Sequence, residues 1–240
     1  AFHHHFDYID KYYTPFIPAA KRMNAKIKRD IDPVNNDGIT LIPQAMSIVA
    51  DEVIDLHRQL VPYGYDEINV NLGCPSGTVV SKKRGSGILA YPDMLDSFLD
   101  ELYTKADFPV SIKTRVGFND DELWPKLIEI YSKYPISELT VHPRVQKDFY
   151  KNTPRMDDFA LAIQKINPDK TILCYNGDIT DTNSFNALTD CFPDIDEIMI
   201  GRGLFANPAL IAELKGISMD KAELRERLKN WHDEILSGYL

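Results

Sequence analysis

The sequence predicts an α/β fold: a (β/α)8 TIM barrel lacking its first βα unit, followed by the start of a carboxyl-terminal helical segment. Three observations support this reading. Short runs rich in Val, Ile, Tyr and Thr alternate with longer amphipathic stretches, the pattern of parallel strands joined by helical crossovers. Polar residues mark the carboxyl ends of six of those runs, at Gln44, Asn71, Lys113, Arg115, His142, Asn176 and Gly201. Glycine-bearing turns, Asn176-Gly177-Asp178 and Gly201-Arg202-Gly203, follow the last two. An open doubly wound sheet collects ligand contacts at one switch point, whereas a barrel brings every strand end to one mouth. Six contributing strands favour the barrel.

The strands are expected at residues 12–17, 40–44, 67–71, 110–115, 138–142, 171–176 and 197–201. Helices are expected at 47–60, opened by Ser47 as N-cap, and at 92–104, 121–134, 157–166 and 180–189. In the first, Ile48, Val53, Leu56 and Leu60 lie near one face. No βα unit precedes residue 12, so the first strand of the eight is expected to be absent. The barrel is placed at residues 1–214. Residues 215–240 read as a helical segment, with a stripe of Leu224, Leu228, Trp231 and Ile235.

A chain of 240 residues suits one large barrel or two small domains, and its 44% hydrophobic content suits a buried core. No apolar run approaches the roughly 18–20 residues of a membrane span. Residues 1–10 do not resemble a signal peptide. The cysteines, Cys74, Cys174 and Cys191, are odd in number and far apart, which argues against a disulfide framework or a Cys-rich metal site. A reducing cytoplasm follows. The net charge of −9 lacks the broad basic footprint of a nucleic-acid binder. Two local basic clusters remain, Lys21, Arg22, Lys26, Lys28 and Arg29, and Lys82, Lys83 and Arg84. Such clusters are more often solvated faces than polyanion sites. His3, His4 and His5 are adjacent, cannot all face one metal, and read as surface residues without a role.

The most informative stretch is Ile68-Asn69-Val70-Asn71-Leu72-Gly73-Cys74-Pro75, a strand stopped by Gly-Cys-Pro. A glycine-bearing loop follows, with Gly85, Ser86 and Gly87. A thiol at a strand's carboxyl end is where an α/β enzyme places chemistry. Taken alone, Cys74 is more often a packed thiol. Lys113 at an inward strand position would need an electron-rich or anionic partner, and an exposed strand-end lysine is the plain alternative. His142 can donate a hydrogen bond or shuttle a proton, or merely end its strand. The two glycine turns follow strands seven and eight, counted with the absent first strand. That is the usual phosphate position of a barrel, and it predicts a phosphorylated cofactor.

Together, Asn71-Leu72-Gly73-Cys74-Pro75, Lys82 to Gly87, Lys113-Thr114-Arg115, His142-Pro143-Arg144, Asn176-Gly177-Asp178 and Gly201-Arg202-Gly203 resemble the tRNA-dihydrouridine synthase family. The resemblance runs from about residue 12 to 214, and the order and spacing of the motifs are more specific than any one of them. It implies an FMN-binding barrel followed by a helical tRNA-binding domain. It implies reduction of tRNA uridines at C5=C6, with NADPH as the usual reductant. Carried onto this chain, Cys74 resembles the acid that protonates uracil C5, and Asn71 the residue that holds the uracil. Arg115 and Tyr150 fall where the family contacts the target base. Gln44, Lys113 and His142 resemble flavin-ring and ribityl contacts. Asn176, Gly177, Asp178, Gly201, Arg202 and Gly203 resemble the phosphate side. An acid at C5 is chemically sensible, because hydride addition at the adjacent carbon leaves negative charge to quench.

The chain departs from the family in three ways. The first strand, with its Ala-Pro-Met-like turn, and most of the helical domain are expected to be absent. His142-Pro143-Arg144 stands for the commoner His-Gly-Arg. Two alternatives stay open: a dihydroorotate-dehydrogenase-like FMN barrel acting on a free pyrimidine, and a tRNA-binding fragment without turnover.

Overall fold

The computed structural model describes residues 1–18 and 22–238. Lys21, expected in the first basic cluster, lies outside them. The chain forms two compact units, one of Tyr13–Gly177 with Ile195–Met199, the other of Ala1–Tyr12, Asp178–Asp194 and Ile200–Leu240. This division does not fall at residue 214. The difference arises because the first residues of the chain pack within the same unit as its last helix.

The larger unit is built on a seven-stranded parallel sheet. Its strands are β1 (Ile17–Pro18), β2 (Gln44–Met46), β3 (Ile68–Leu72), β4 (Val110–Gly117), β5 (Glu138–Val145), β6 (Ile172–Tyr175) and β7 (Glu197–Ile198), and they neighbour one another in chain order. Parallel neighbours in sequential order, joined by helices, form seven of the eight strands of a (β/α)8 barrel. Two expected strands are broken by proline, which cannot donate to a ladder. The 12–17 run splits around Pro15, and only Ile17–Pro18 joins the sheet; the 40–44 run splits at Pro43, so Gln44 begins β2 rather than ending a strand.

Helices cover one face of the sheet. Ala50–Leu60 buries Val53, Leu56 and Leu60; Pro92–Lys105 buries Leu95, Phe98, Leu99 and Leu102; Trp124–Tyr131 buries Trp124, Leu127 and Ile128. Pro92 opens its helix at the position where a missing N–H costs nothing. Ser47 is not an N-cap. The helix begins three residues later, and the Ser47 hydroxyl donates to Glu52 while accepting from Val49 N–H at 3.1 Å. On the covered face Thr114 Oγ1 lies 2.9 Å from Tyr131 Oη, and the Tyr175 ring meets Phe159 edge-on at 5.0 Å. Val70, Leu72, Ile112, Leu139 and Val141 complete that face and are fully buried.

In the smaller unit, Asp181 caps Thr182–Cys191 by accepting from Ser184 N–H, and Asp220 caps Lys221–Ser237 by accepting from Ala222 and Glu223 N–H. His4 Nδ1 and His5 Nε2 each lie 2.8 Å from a Glu234 oxygen, and Trp231 meets Phe2 edge-on. Two of the three histidines thus tie the amino-terminal helix Phe2–His5 to the last helix, a role the sequence reading did not assign them. No helix among the described residues is long and apolar enough to cross a membrane.

Candidate active site

Side chains alternate across each strand, so residues two apart share a face. The face opposite the helices carries Gln44 on β2, Asn69 and Asn71 on β3, and Ser111, Lys113 and Arg115 on β4. It continues with Thr140, His142 and Arg144 on β5, and Cys174 on β6. Register aligns Gln44 with Asn69 and Ser111, Asn71 with Lys113 and Thr140, and Arg115 with His142. The result is a polar interior layered across the sheet. Buried polar groups need partners, and here they find one another. Gln44 Nε2 donates to Asn69 Oδ1 at 2.8 Å, Asn69 Nδ2 to Ser111 Oγ at 3.1 Å, and Asn71 Nδ2 to Gln44 Oε1 at 2.7 Å.

This chain of amides ends on the Gly73-Cys74-Pro75 turn. Asn71 Oδ1 accepts from Gly73 N–H at 3.1 Å and Cys74 N–H at 2.9 Å. The carbonyls of the turn are held from three other directions. Arg115 Nε donates to Gly73 O at 2.9 Å, Ser86 Oγ to Cys74 O at 2.8 Å, and Gln146 Nε2 to Pro75 O at 2.9 Å. Pro75 has no N–H to satisfy, so every backbone polar group of the turn is engaged. Gly85 makes the return of the loop possible: its φ is +55°, and a Cβ there would stand 2.7 Å from Cys74 O. The half-buried Cys74 thiol therefore sits on a backbone fixed from all sides.

Lys113 Nζ donates to Asn176 Oδ1 at 2.6 Å, and Asn176 Nδ2 to Met199 O at 2.8 Å. Asn176 thus spans from Lys113 to the segment just after β7. Burial first, and the neighbouring Arg115 second, push the Lys113 ammonium down to about 8. Arg115 is buried and donates to three carbonyls, the second and third being Val145 O at 3.0 Å and Phe149 O at 2.7 Å. Burial pulls it down to about 10. His142 is buried, its Nε2 lies 3.1 Å from Arg144 Nη1, and its ring centroid is 6.4 Å from that of Tyr150. The Tyr150 ring is exposed and lies 5.6 Å from the Arg115 guanidinium carbon.

The structure thus gathers Gln44, Asn71, Cys74, Lys113, Arg115, His142, Tyr150 and Asn176 on or above one face of one sheet. Asn71 and Arg115, expected on the substrate, spend these bonds on the protein's own turn and loops. Gly177 follows directly and must stay small, since a Cβ would fall 2.0 Å from Tyr175 Oη. Asp178, Gly201, Arg202 and Gly203 belong to the smaller unit, where Arg202 Nη2 donates to Asp178 Oδ1 at 2.6 Å on the surface. Of the second basic cluster, Arg84 is half-buried against Glu52 at 3.0 Å, while Lys82 and Lys83 are exposed.

Sequence reasoning missed Asn69, Ser86, Ser111 and Gln146. Asn69 and Ser111 carry a readable signal, because both are polar at positions two residues before a chosen one. Ser86 lies in the glycine-bearing loop that the sequence singles out, but without an assigned role, while Gln146 reaches the turn from a distant loop and carries no signal. Glu138, Cys174 and Glu197 bring ligand-type atoms within 4.8 Å of one another. Glu138, however, accepts from Tyr13 Oη at 2.9 Å and Thr140 Oγ1 at 2.7 Å. Burial pushes the Cys174 thiol well up.

The dihydrouridine synthase family model matches residues 3–235. A probable tRNA-dihydrouridine synthase of Staphylococcus aureus is 34% identical over 154 residues, 62% of this chain and 46% of that protein. The tRNA-dihydrouridine synthase B of Pasteurella multocida is 29% identical over 168 residues, 70% of this chain and 49% of that protein. The chain spans about half the length of the curated relatives it matches.

Proposed function

The chain belongs to the dihydrouridine synthase family, and from that premise we propose that it serves the flavin-dependent reduction of particular tRNA uridines to 5,6-dihydrouridine in the cytoplasm. The observation that carries the reading is the Gly73-Cys74-Pro75 turn, whose backbone is fixed on all sides around a half-buried thiol. A merely packed cysteine needs no such frame.

The residues present fit FMN. Lys113 is a largely desolvated cation whose hydrogen-bond partner, Asn176, is neutral, so it suits an electron-rich ring acceptor. Gln44 and His142 add further polar atoms on the same face. Lys113, Gln44 and His142 would hold the FMN ring, and the chemistry it would supply there is hydride for uracil C6, with NADPH as the reductant. The chain does the rest. Cys74 gives its Sγ proton to C5, quenching the charge that develops there. Asn71 orients the thiol by holding the two N–H groups of its turn. Arg115 braces the same turn from the other side, and the exposed Tyr150 ring faces the uracil.

The test is a half-reaction assay on Cys74→Ala. Flavin reduction by NADPH is expected to stay unchanged, while dihydrouridine formation falls by on the order of a hundredfold or more. An unchanged yield of dihydrouridine would overturn the acid role of Cys74.

A further inference from the structure

Phe149 is the strained point of the loop above the polar face. Its φ is 53° and its ψ −99°, a region open to glycine but rare for a bulky side chain. Such strain persists only where the surroundings over-determine the backbone, and here they do. Phe149 N–H donates to Gln146 O at 3.0 Å, and Phe149 O accepts from Arg115 Nη2 at 2.7 Å. Arg144 Nε donates to Lys151 O at 2.9 Å, and Asp148 accepts from Val145 N–H at 3.1 Å and from Asn152 Nδ2 at 2.6 Å.

All this order presents an aromatic ring to water. Phe149 is 46% exposed and Tyr150 54%. The exposed Phe149 side chain is not what the core needs, so the strain serves something outside the fold. Two ties say where. Arg115 holds both Phe149 O and Gly73 O, and Gln146 Nε2 reaches Pro75 O. The aromatic loop and the Cys74 turn are thus braced together. Lys147 and Lys151 stand two residues before and two after Phe149 in the chain, both exposed, and neither has an ion-pair partner among the described residues.

We propose that Phe149 is a stacking platform for an unpaired tRNA base next to the uridine that is reduced, with Lys147 and Lys151 placed for the adjoining phosphates. The proposal rests on the function proposed above. An exposed aromatic residue with an exposed lysine two positions to either side in the chain suits single-stranded nucleic acid, because every base offers a π face and every link a charge. The local charge is positive although the chain as a whole carries −9.

The experiment compares Phe149→Gly and Phe149→Trp with the unaltered chain, using unmodified tRNA transcripts. KM and kcat for dihydrouridine formation, the tRNA dissociation constant and the melting temperature are measured. Phe149→Gly is expected to raise KM and the dissociation constant on the order of tenfold. Its melting temperature should hold or rise, because glycine relaxes the left-handed backbone. Phe149→Trp should keep affinity near the original. A glycine variant with unchanged affinity overturns the platform, as does one whose affinity falls only with its melting temperature. Should the unaltered chain bind tRNA yet form no dihydrouridine, the functional reading fails while the binding comparison still judges the platform.

Discussion

The two faces of one sheet obey different rules. On the helix-covered face, Val70, Leu72, Ile112, Leu139 and Val141 are fully buried, and what they require is volume. On the other face, Asn69, Ser111, Thr140 and Arg115 are buried too, yet each is held by named partners with directions. The same strands, read at alternate residues, build a core on one side and a framed thiol on the other. Dispersion and hydrophobic burial are non-directional, so the covered face tolerates a swap of similar size. Hydrogen bonds in a desolvated interior are directional, and a partner left unmatched costs its full desolvation. Specific chemistry therefore collects on the second face.

Three substitutions test this contrast. The largest expected effect is that of Arg115→Met, which strips hydrogen bonds from the carbonyls of Gly73, Val145 and Phe149 together. Unfolding in urea should show a loss on the order of 4 kcal/mol, and dihydrouridine formation per folded molecule should fall as well. A loss below about 1 kcal/mol would mean that these bonds frame nothing. Next comes Ile112→Ala on the covered face, expected to cost about 3 kcal/mol through transfer and cavity terms. Its turnover per folded molecule should be unchanged. If turnover fell as steeply as for Arg115→Met, the two faces would not be functionally distinct.

The smallest effect expected is a pH dependence from Lys113. Its folded value of about 8 lies below its ordinary 10.5. Between those values the unfolded chain binds the extra proton, so stability rises with pH across that window. The gain is on the order of 2 kcal/mol, and Lys113→Met should abolish it. Denaturation curves at pH 7.5 and 10 for both proteins read the difference directly. An identical pH response in the two would show that Lys113 is not desolvated. A bound anionic group would reduce the slope, by holding the lysine charged.

Legibility in the sequence divides along the same line. The seven-strand order was readable, because strand composition and βα alternation are local properties of the chain. Cys74, Lys113, His142 and Asn176 were readable as candidates because Lys113 and His142 sit on one face of β4 and β5 while Cys74 and Asn176 lie just past the ends of β3 and β6, and a barrel brings those positions to one mouth. The edges were not. Pro15 and Pro43 cut two expected strands, and Ser47 bonds to Glu52 instead of capping a helix. Local propensity ranks such positions well but is overruled by whichever partner the fold brings near.

By itself the sequence determined the period-2 alternation, the parallel order, the Gly-Cys-Pro stop and the family. Only the tertiary structure decided what holds the thiol. Cys74 is framed by Ser86, Arg115 and Gln146, whose bonds close separations of 12, 42 and 71 residues. No periodicity links such positions, because loop closure fixes them only when the whole sheet has formed. The strained, exposed Phe149 belongs to the same class: its backbone angle is set by Arg115 and the Asp148 cluster, not by its own preference.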